Sequence, residues 1–224
     1  MTTSARTTFS PTEPQIEKVR RQALDAQSER IEIVGAEGSV RGRVHAAEGD
    51  SAILWAFGAG GGIGGPAGGV YGRLARRFQA PGIASLELDY RRPGDLRACV
   101  ADALLGLSWL ECAGKRRVAL VGHSFGGAVV INAGVLSASA IGVAALSSQT
   151  AGTDVVGALS PKPLLLIHGG EDEILPDTCS RRIFARAREP KKLIIYPECR
   201  HGLDQCREEL EQDLSLWLQS ALIG

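Results

Sequence analysis

Gly122-His123-Ser124-Phe125-Gly126 sets a serine between two glycines, directly after the apolar run RVALV and directly before GAVVINAGVL. A serine nucleophile needs this arrangement. A sharp turn between strand and helix lifts Oγ clear of the sheet, and glycines on either side remove side chains that would block the turn. The helix that follows points its first amides at negative charge developing near Ser124. Further along, Asp172 in HGGEDEILP follows the run PLLLI, and His201 in CRHGL follows LIIYP. A histidine there can take the serine's proton, and an acid can fix the histidine's tautomer and balance its imidazolium form. Alone, each would serve as a helix cap or a solvated loop residue. Their order along the chain, Ser124, Asp172, His201, gives them a joint role. Asp172 is preferred to Glu171, Glu173 and the earlier Asp154 because Ile-Leu-Pro follows it shortly after.

A fourth feature is the segment FGAGGGIGGPAGGVYG, residues 57–72, with nine glycines in sixteen positions after SAILWA. Amides this free of side chains approach something negative: a nucleotide phosphate, or an oxygen that becomes anionic during a reaction. Gly60-x-Gly62-x-x-Gly65 fits the dinucleotide fingerprint, and Asp89 ends the next apolar run, where a ribose-binding acid would stand. Yet so glycine-dense a loop satisfies many spacings by chance. Its strand follows a hairpin instead of opening the fold, no Gly-Lys-Ser/Thr follows, and Ser124, Asp172 and His201 would be left without a role. The segment therefore reads as an oxyanion-binding loop.

These residues need a rigid frame. SAILWAF, GIASLELDY, RVALVGHS, IGVAALSS, KPLLLIHG and KKLIIYPE are short continuous apolar runs, typical of strands buried on both faces. Helical patterns alternate with them near 70–79, 95–113, 125–137, 177–188 and 203–221. The expected fold class is α/β, with a mostly parallel central sheet and helices on both faces. RIEIVGAE and SVRGRVHAA form a hairpin around Gly38. Residues 13–29 read as an amphipathic helix with Thr12 as N-cap and Ile16, Val19 and Ala23 on one face. The chain thus divides into a tail with an accessory helix, 1–30, and a catalytic-type domain, 31–224. Only QTAGTDVVGALSP separates the fourth and fifth of these runs, too little for a lid domain, so the expected site is open unless residues 13–29 cover it.

Composition excludes several classes. Lys+Arg and Asp+Glu are equal at 25 each, so no global field favours nucleic acid or an anionic membrane. No apolar run approaches the roughly 20 residues of a membrane-spanning helix, and MTTSARTTFSPTEPQ has no apolar signal-peptide core. Five cysteines without a CxxC pair fit a reduced cytoplasmic chain better than a disulfide framework, a Cys199–Cys206 bridge being the less favoured reading. The four histidines form no metal-binding cluster, so neither metal nor cofactor is expected.

On GHSFGG, HGGEDEILP, CRHGL and the runs that separate them, residues 51 to 221 resemble an α/β-hydrolase, and the compact form is similar to dienelactone hydrolase-like small esterases. The resemblance implies an oxyanion hole made by the amides of Phe125 and Ala59, with Gly60 as the alternate. Two departures stand out: Phe57-Gly58 replaces the family's frequent His-Gly, and Ser124 replaces the cysteine nucleophile of dienelactone hydrolases. The expected activity is serine-dependent cleavage of a small-molecule, short-acyl carboxylic ester. A small serine peptidase or thioesterase is the alternative within the fold, and a catalytically inactive binding protein the alternative outside it.

The reading of residues 57–72 carries its own test. Calorimetry with NAD, NADP and ATP is expected to show no specific binding, and a micromolar dinucleotide affinity would overturn the oxyanion assignment.

Overall fold

The structure, a computed structural model, describes residues 15–223. Nine strands form one sheet in the order β1-β2-β3-β5-β4-β6-β7-β8-β9. β1 (Ile16–Ala23), β2 (Glu29–Gly35) and β3 (Gly38–His45) run antiparallel, and β3 joins β5 (Ala84–Asp89) antiparallel. From β5 onward, β4 (Ser51–Ala56), β6 (Arg117–His123), β7 (Ala140–Leu146), β8 (Leu164–Gly169) and β9 (Lys191–Tyr196) are parallel. This is the mostly parallel sheet expected from the continuous apolar runs.

Both faces are covered because these strands carry apolar side chains on both. Ala52, Leu54 and Ala56 of β4 join one core with α2 (Leu96–Cys112) and α3 (Phe125–Leu136), to which Ile183 of α4 (Thr178–Arg186) adds. Ile53 and Trp55 face the other way, into a core with α1 (Pro66–Gln79) and α5 (Arg207–Leu222). Helix α1 has non-helical backbone at Ala67, Gly68 and Gly69, so its regular part begins near residue 70, as the hydrophobic pattern indicates. Between β7 and β8 the chain forms only a 3-10 turn, Asp154–Ala158, so no lid domain stands there.

The accessory helix expected over residues 13–29 is not formed: residues 16–23 are strand β1. Thr12, its expected cap, lies outside the described residues. The physical reason is a register shift between Ile16 and Lys18, which inserts an extra residue. Ile16 and Val19, three apart, therefore both pack toward the core and imitate helical spacing. Pairing with β2, with Arg20–Glu32 and Arg21–Glu29 ion pairs at 2.5 Å, completes the strand. β1 lies four strand spacings from β4, roughly 19 Å, so it does not cover the carboxyl end of β4.

All six residues of β4 are buried, and Leu54 is fully enclosed between β5 and β6. Leu54→Ala is expected to cost about 2–5 kcal/mol by lost transfer energy and an unfilled cavity. Urea unfolding measures this, and a loss under about 1 kcal/mol would mean that the centre of the sheet repacks freely.

Candidate active site

The sheet order reverses at β4. From there β5 lies to one side and β6 to the other, and the carboxyl ends of β4 and β6 are where an open α/β sheet of this order places its ligand crevice. The glycine-rich loop leaves β4 at this crevice, and Ser124 leaves β6. Ser124 has φ 57° and ψ −120°, a left-handed backbone that a non-glycine residue rarely adopts. Its neighbours make the turn possible. A Cβ on Gly122 would overlap the carbonyl of Gly126, and one on Gly126 would overlap the carbonyls of Phe57 and Ala56. The same tightness brings the loop to the serine: a Cβ on Gly58 would stand 3.7 Å from that of Ser124. Phe125 begins α3, so its amide belongs to the free N-terminal turn of that helix. Ala59 and Gly60 follow directly, and Gly61 N–H closes a turn onto Gly58 O at 3.0 Å.

The glycine-rich loop is fastened by carboxylates. Gly62 N–H donates to Asp89 Oδ1 and Gly64 N–H to Glu87 Oε2, each at 2.8 Å. Asp89 and Glu87 stand two apart on β5 and so share one face. Glu87 is buried beside His45 Nε2 at 3.2 Å and Arg43 at 3.8 Å. These acids hold amides that a nucleotide phosphate would need, and Asp89 is spent on the loop instead of a ribose. Arg91 takes a structural role too, bound to buried Asp102 at 2.5 Å. Sequence reasoning passed over Glu87, though a charged residue inside the apolar run ASLELD was a visible signal.

Asp172 and His201 meet. His201 Nδ1 donates to Asp172 Oδ2 at 2.8 Å, which leaves Nε2 as the ring's other nitrogen. The Asp172 side chain is fully buried, and that of His201 is 16% exposed. Burial alone pushes the Asp172 carboxyl up. Hydrogen bonds from Leu175 N–H, the His201 ring and Ile174 N–H together outweigh that effect and hold it below the ordinary carboxylate value. Among the other acids considered, Glu171 is exposed, Glu173 Oε2 accepts the His201 backbone N–H at 3.3 Å, and Asp154 pairs with Arg186. Only Asp172 reaches the imidazole.

The loop carrying His201 is pinned on several sides. Ala67 N–H donates to Gly202 O at 2.7 Å, joining it to the glycine-rich segment. His123 Nε2 donates to His201 O at 2.9 Å, and the two rings lie 4.9 Å apart. This links the residue before Ser124 to the backbone of His201. Cys199 and Cys206 form a disulfide with Cα atoms 5.9 Å apart, correcting the expectation that all thiols are free. Spacing along the chain could not reveal this, and between the two cysteines the backbone turns at Leu203, φ 57°. Among the described residues, no group of three or more His, Cys, Asp or Glu is placed to hold a metal ion. Among the same residues, no helix is long and apolar enough to cross a membrane.

No protein-family model matches the chain. It is 30% identical over 109 residues to the uncharacterized protein YfhR of Escherichia coli K12, a match spanning 38% of each chain. Its fold is similar to the esterase domain of a Rhodothermus marinus protein, with TM-score 0.71 and 17% identity over 88% of this chain and 100% of that one. It is equally similar to a dienelactone hydrolase from Anabaena variabilis, with TM-score 0.71 and 18% identity over 94% and 100%. The fold is that of the α/β-hydrolases.

Burial pushes the His123 imidazole down to about 4 from an ordinary 6.5, so it stays neutral in the folded chain at neutral pH. The unfolded chain binds that proton as pH falls below about 6.5, which draws stability down between there and about 4. The stability advantage of wild type over His123→Asn is therefore expected to shrink as pH drops from 7 to 4.5. Urea midpoints across that range measure it, and an advantage that holds constant or grows would contradict the assignment.

Proposed function

We propose that this α/β-hydrolase-fold chain is a serine hydrolase that cleaves carboxylic esters with small acyl groups through an acyl-enzyme on Ser124. The observation that carries the reading is the 2.8 Å Asp172–His201 bond, formed in a loop that His123, the residue before the left-handed Ser124, ties to the end of β6 through its 2.9 Å bond to His201 O. The similarity to an esterase domain and to a dienelactone hydrolase is consistent with this chemistry.

In this mechanism Ser124 Oγ attacks the ester carbonyl as His201 Nε2 takes its proton. Asp172, ionised at neutral pH, keeps the hydrogen on His201 Nδ1 and balances the imidazolium that forms. The carbonyl oxygen becomes an oxyanion, held by the amides of Phe125 and Ala59, with Gly60 as the alternate donor. Collapse of the tetrahedral intermediate breaks the ester C–O bond, and the imidazolium protonates the departing alkoxide. Water then repeats the sequence: His201 takes its proton, hydroxide adds to the acyl-enzyme, and the acid leaves as Ser124 recovers its hydrogen. No metal or cofactor enters these steps.

The short 147–163 connection and the remote position of β1 leave the crevice without a cover from either segment. A covered tunnel would gain about 0.8 kcal/mol for every methylene it buries, whereas an open cleft stops gaining once the chain leaves the surface.

Ser124→Ala is expected to fold normally, to lose labelling by a fluorophosphonate probe, and to lose at least about 10³-fold in activity on p-nitrophenyl esters. In a panel that also contains amides and thioesters, the wild type should prefer esters of about two to six acyl carbons. Near-wild-type turnover in Ser124→Ala would end the serine-hydrolase reading, and a preference beyond about ten carbons would end the small-acyl one.

A further inference from the structure

Asp172 Oδ2 lies between two imidazoles. His201 Nδ1 is 2.8 Å away on one side, and His168 Nε2 is 3.1 Å away on the other. His168 stands near the end of β8 and is completely buried. Its Nε2 lies 2.9 Å from Leu175 O, and its Nδ1 lies 2.7 Å from Ser180 Oγ of α4. A carbonyl only accepts, so Nε2 carries the hydrogen. Nδ1 is then the acceptor, and the Ser180 hydroxyl donates to it. Burial pushes the imidazole's pKa down, which keeps this neutral tautomer in place. Both ring nitrogens are thereby satisfied, as full burial requires. Here the ring N–H is directed at the turn that presents the acid. Leu175 accepts from His168 through its carbonyl and donates to Asp172 Oδ1 through its amide at 2.7 Å.

We propose that His168 is a positioning residue which, fixed as its Nε2–H tautomer by Ser180, clamps the 172–175 turn and aims Asp172 Oδ2 at His201. The proposal rests on the serine-hydrolase reading above. The ionisable groups around it are Asp172 and Glu173 in the turn, Asp177 before α4, His123 at the end of β6, and His201 in its loop. The clamp leaves substrate contacts untouched, so its loss acts on turnover and on the pH profile of kcat.

The test compares the full chain carrying His168→Leu, His168→Gln, Ser180→Ala or Ser124→Ala with wild type. The measurements are kcat and KM on a p-nitrophenyl ester from pH 5 to 9, circular dichroism, and the low-field proton resonance of the His201 Nδ1–H. His168→Leu should lower kcat by about 10- to 100-fold with KM within about threefold, and lose the low-field resonance. Its acidic limb should move to lower pH, because His201 loses a well-aimed anionic partner. His168→Gln, which keeps an N–H near the position of Nε2, should recover most of the rate and the limb, and Ser180→Ala should fall between the two. A folded His168→Leu with wild-type kcat, limb and resonance overturns the proposal. So do equal losses in the Leu and Gln variants with an unmoved limb, since that is the mark of packing alone. If His168→Leu does not fold, Ser180→Ala and His168→Gln decide through the limb and the resonance. Ser124→Ala separates the two levels: activity retained there removes the serine-hydrolase reading itself, whereas an inactive Ser124→Ala beside a fully active His168→Leu removes only the clamp.

Discussion

The site depends on one tight approach, that of Gly126 to the carbonyls of Ala56 and Phe57, where the first turn of α3 crosses the end of β4. No side chain fits there. Because the backbones touch, the serine's turn and the glycine-rich loop meet at one point, the place where the sheet changes direction. Ser124 accepts a left-handed backbone to stand there, a strain of order 1–3 kcal/mol that the packed strands on either side hold in place. The rest of the site is arranged around that fixed point. β8 and β9 bring the acid and the histidine from the far side, and β5 secures the loop from the near side.

Buried charge does much of the securing. Glu87 with His45 and Arg43, Asp102 with Arg91, and Asp172 with His201 and His168 each put a carboxylate in the interior with partners. Such groups add little net stability, since desolvation offsets most of the attraction. Their effect is to make misplacement costly: a loop amide that left Glu87 would deprive its buried Oε2 of that donor. The 197–206 loop differs, because a disulfide and backbone bonds to Gly202 and His201 hold it. The serine and the acid are placed by packing and polar contacts, and the histidine's loop also by a covalent tie.

The parallel core was legible because strands buried on both faces leave unbroken apolar runs, and SAILWA, RVALVGH and LLLIHG appear as strands with little change of boundary. The candidate residues were singled out through order and context, since GHSFG and CRHG sit where strands end, and Asp172 does meet His201. Three things lay beyond the sequence. The register shift at Ile16 produced a helical spacing in a strand built from Glu, Lys, Arg, Gln and Ala, residues with ample helix propensity, and pairing with β2 overrode it. The Cys199–Cys206 bridge spans a turn that no spacing encodes. His168 lies buried near the end of β8, and its contact with Asp172 arises only once the 172–175 turn closes back on the strand.

An open sheet ends in two edge strands, which among the described residues are β1 and β9. Each exposes a row of amides and carbonyls on which another chain could continue the sheet. β1 carries Lys18, Arg20 and Arg21, mostly exposed, and β9 opens with Lys191 and exposed Lys192. Arg20 and Arg21 are paired with Glu32 and Glu29, so an incoming strand would have to displace long charged side chains before any ladder bond formed. A chain with no net charge has little global repulsion to keep its copies apart. The charged side chains of these two strips oppose such edge-to-edge stacking.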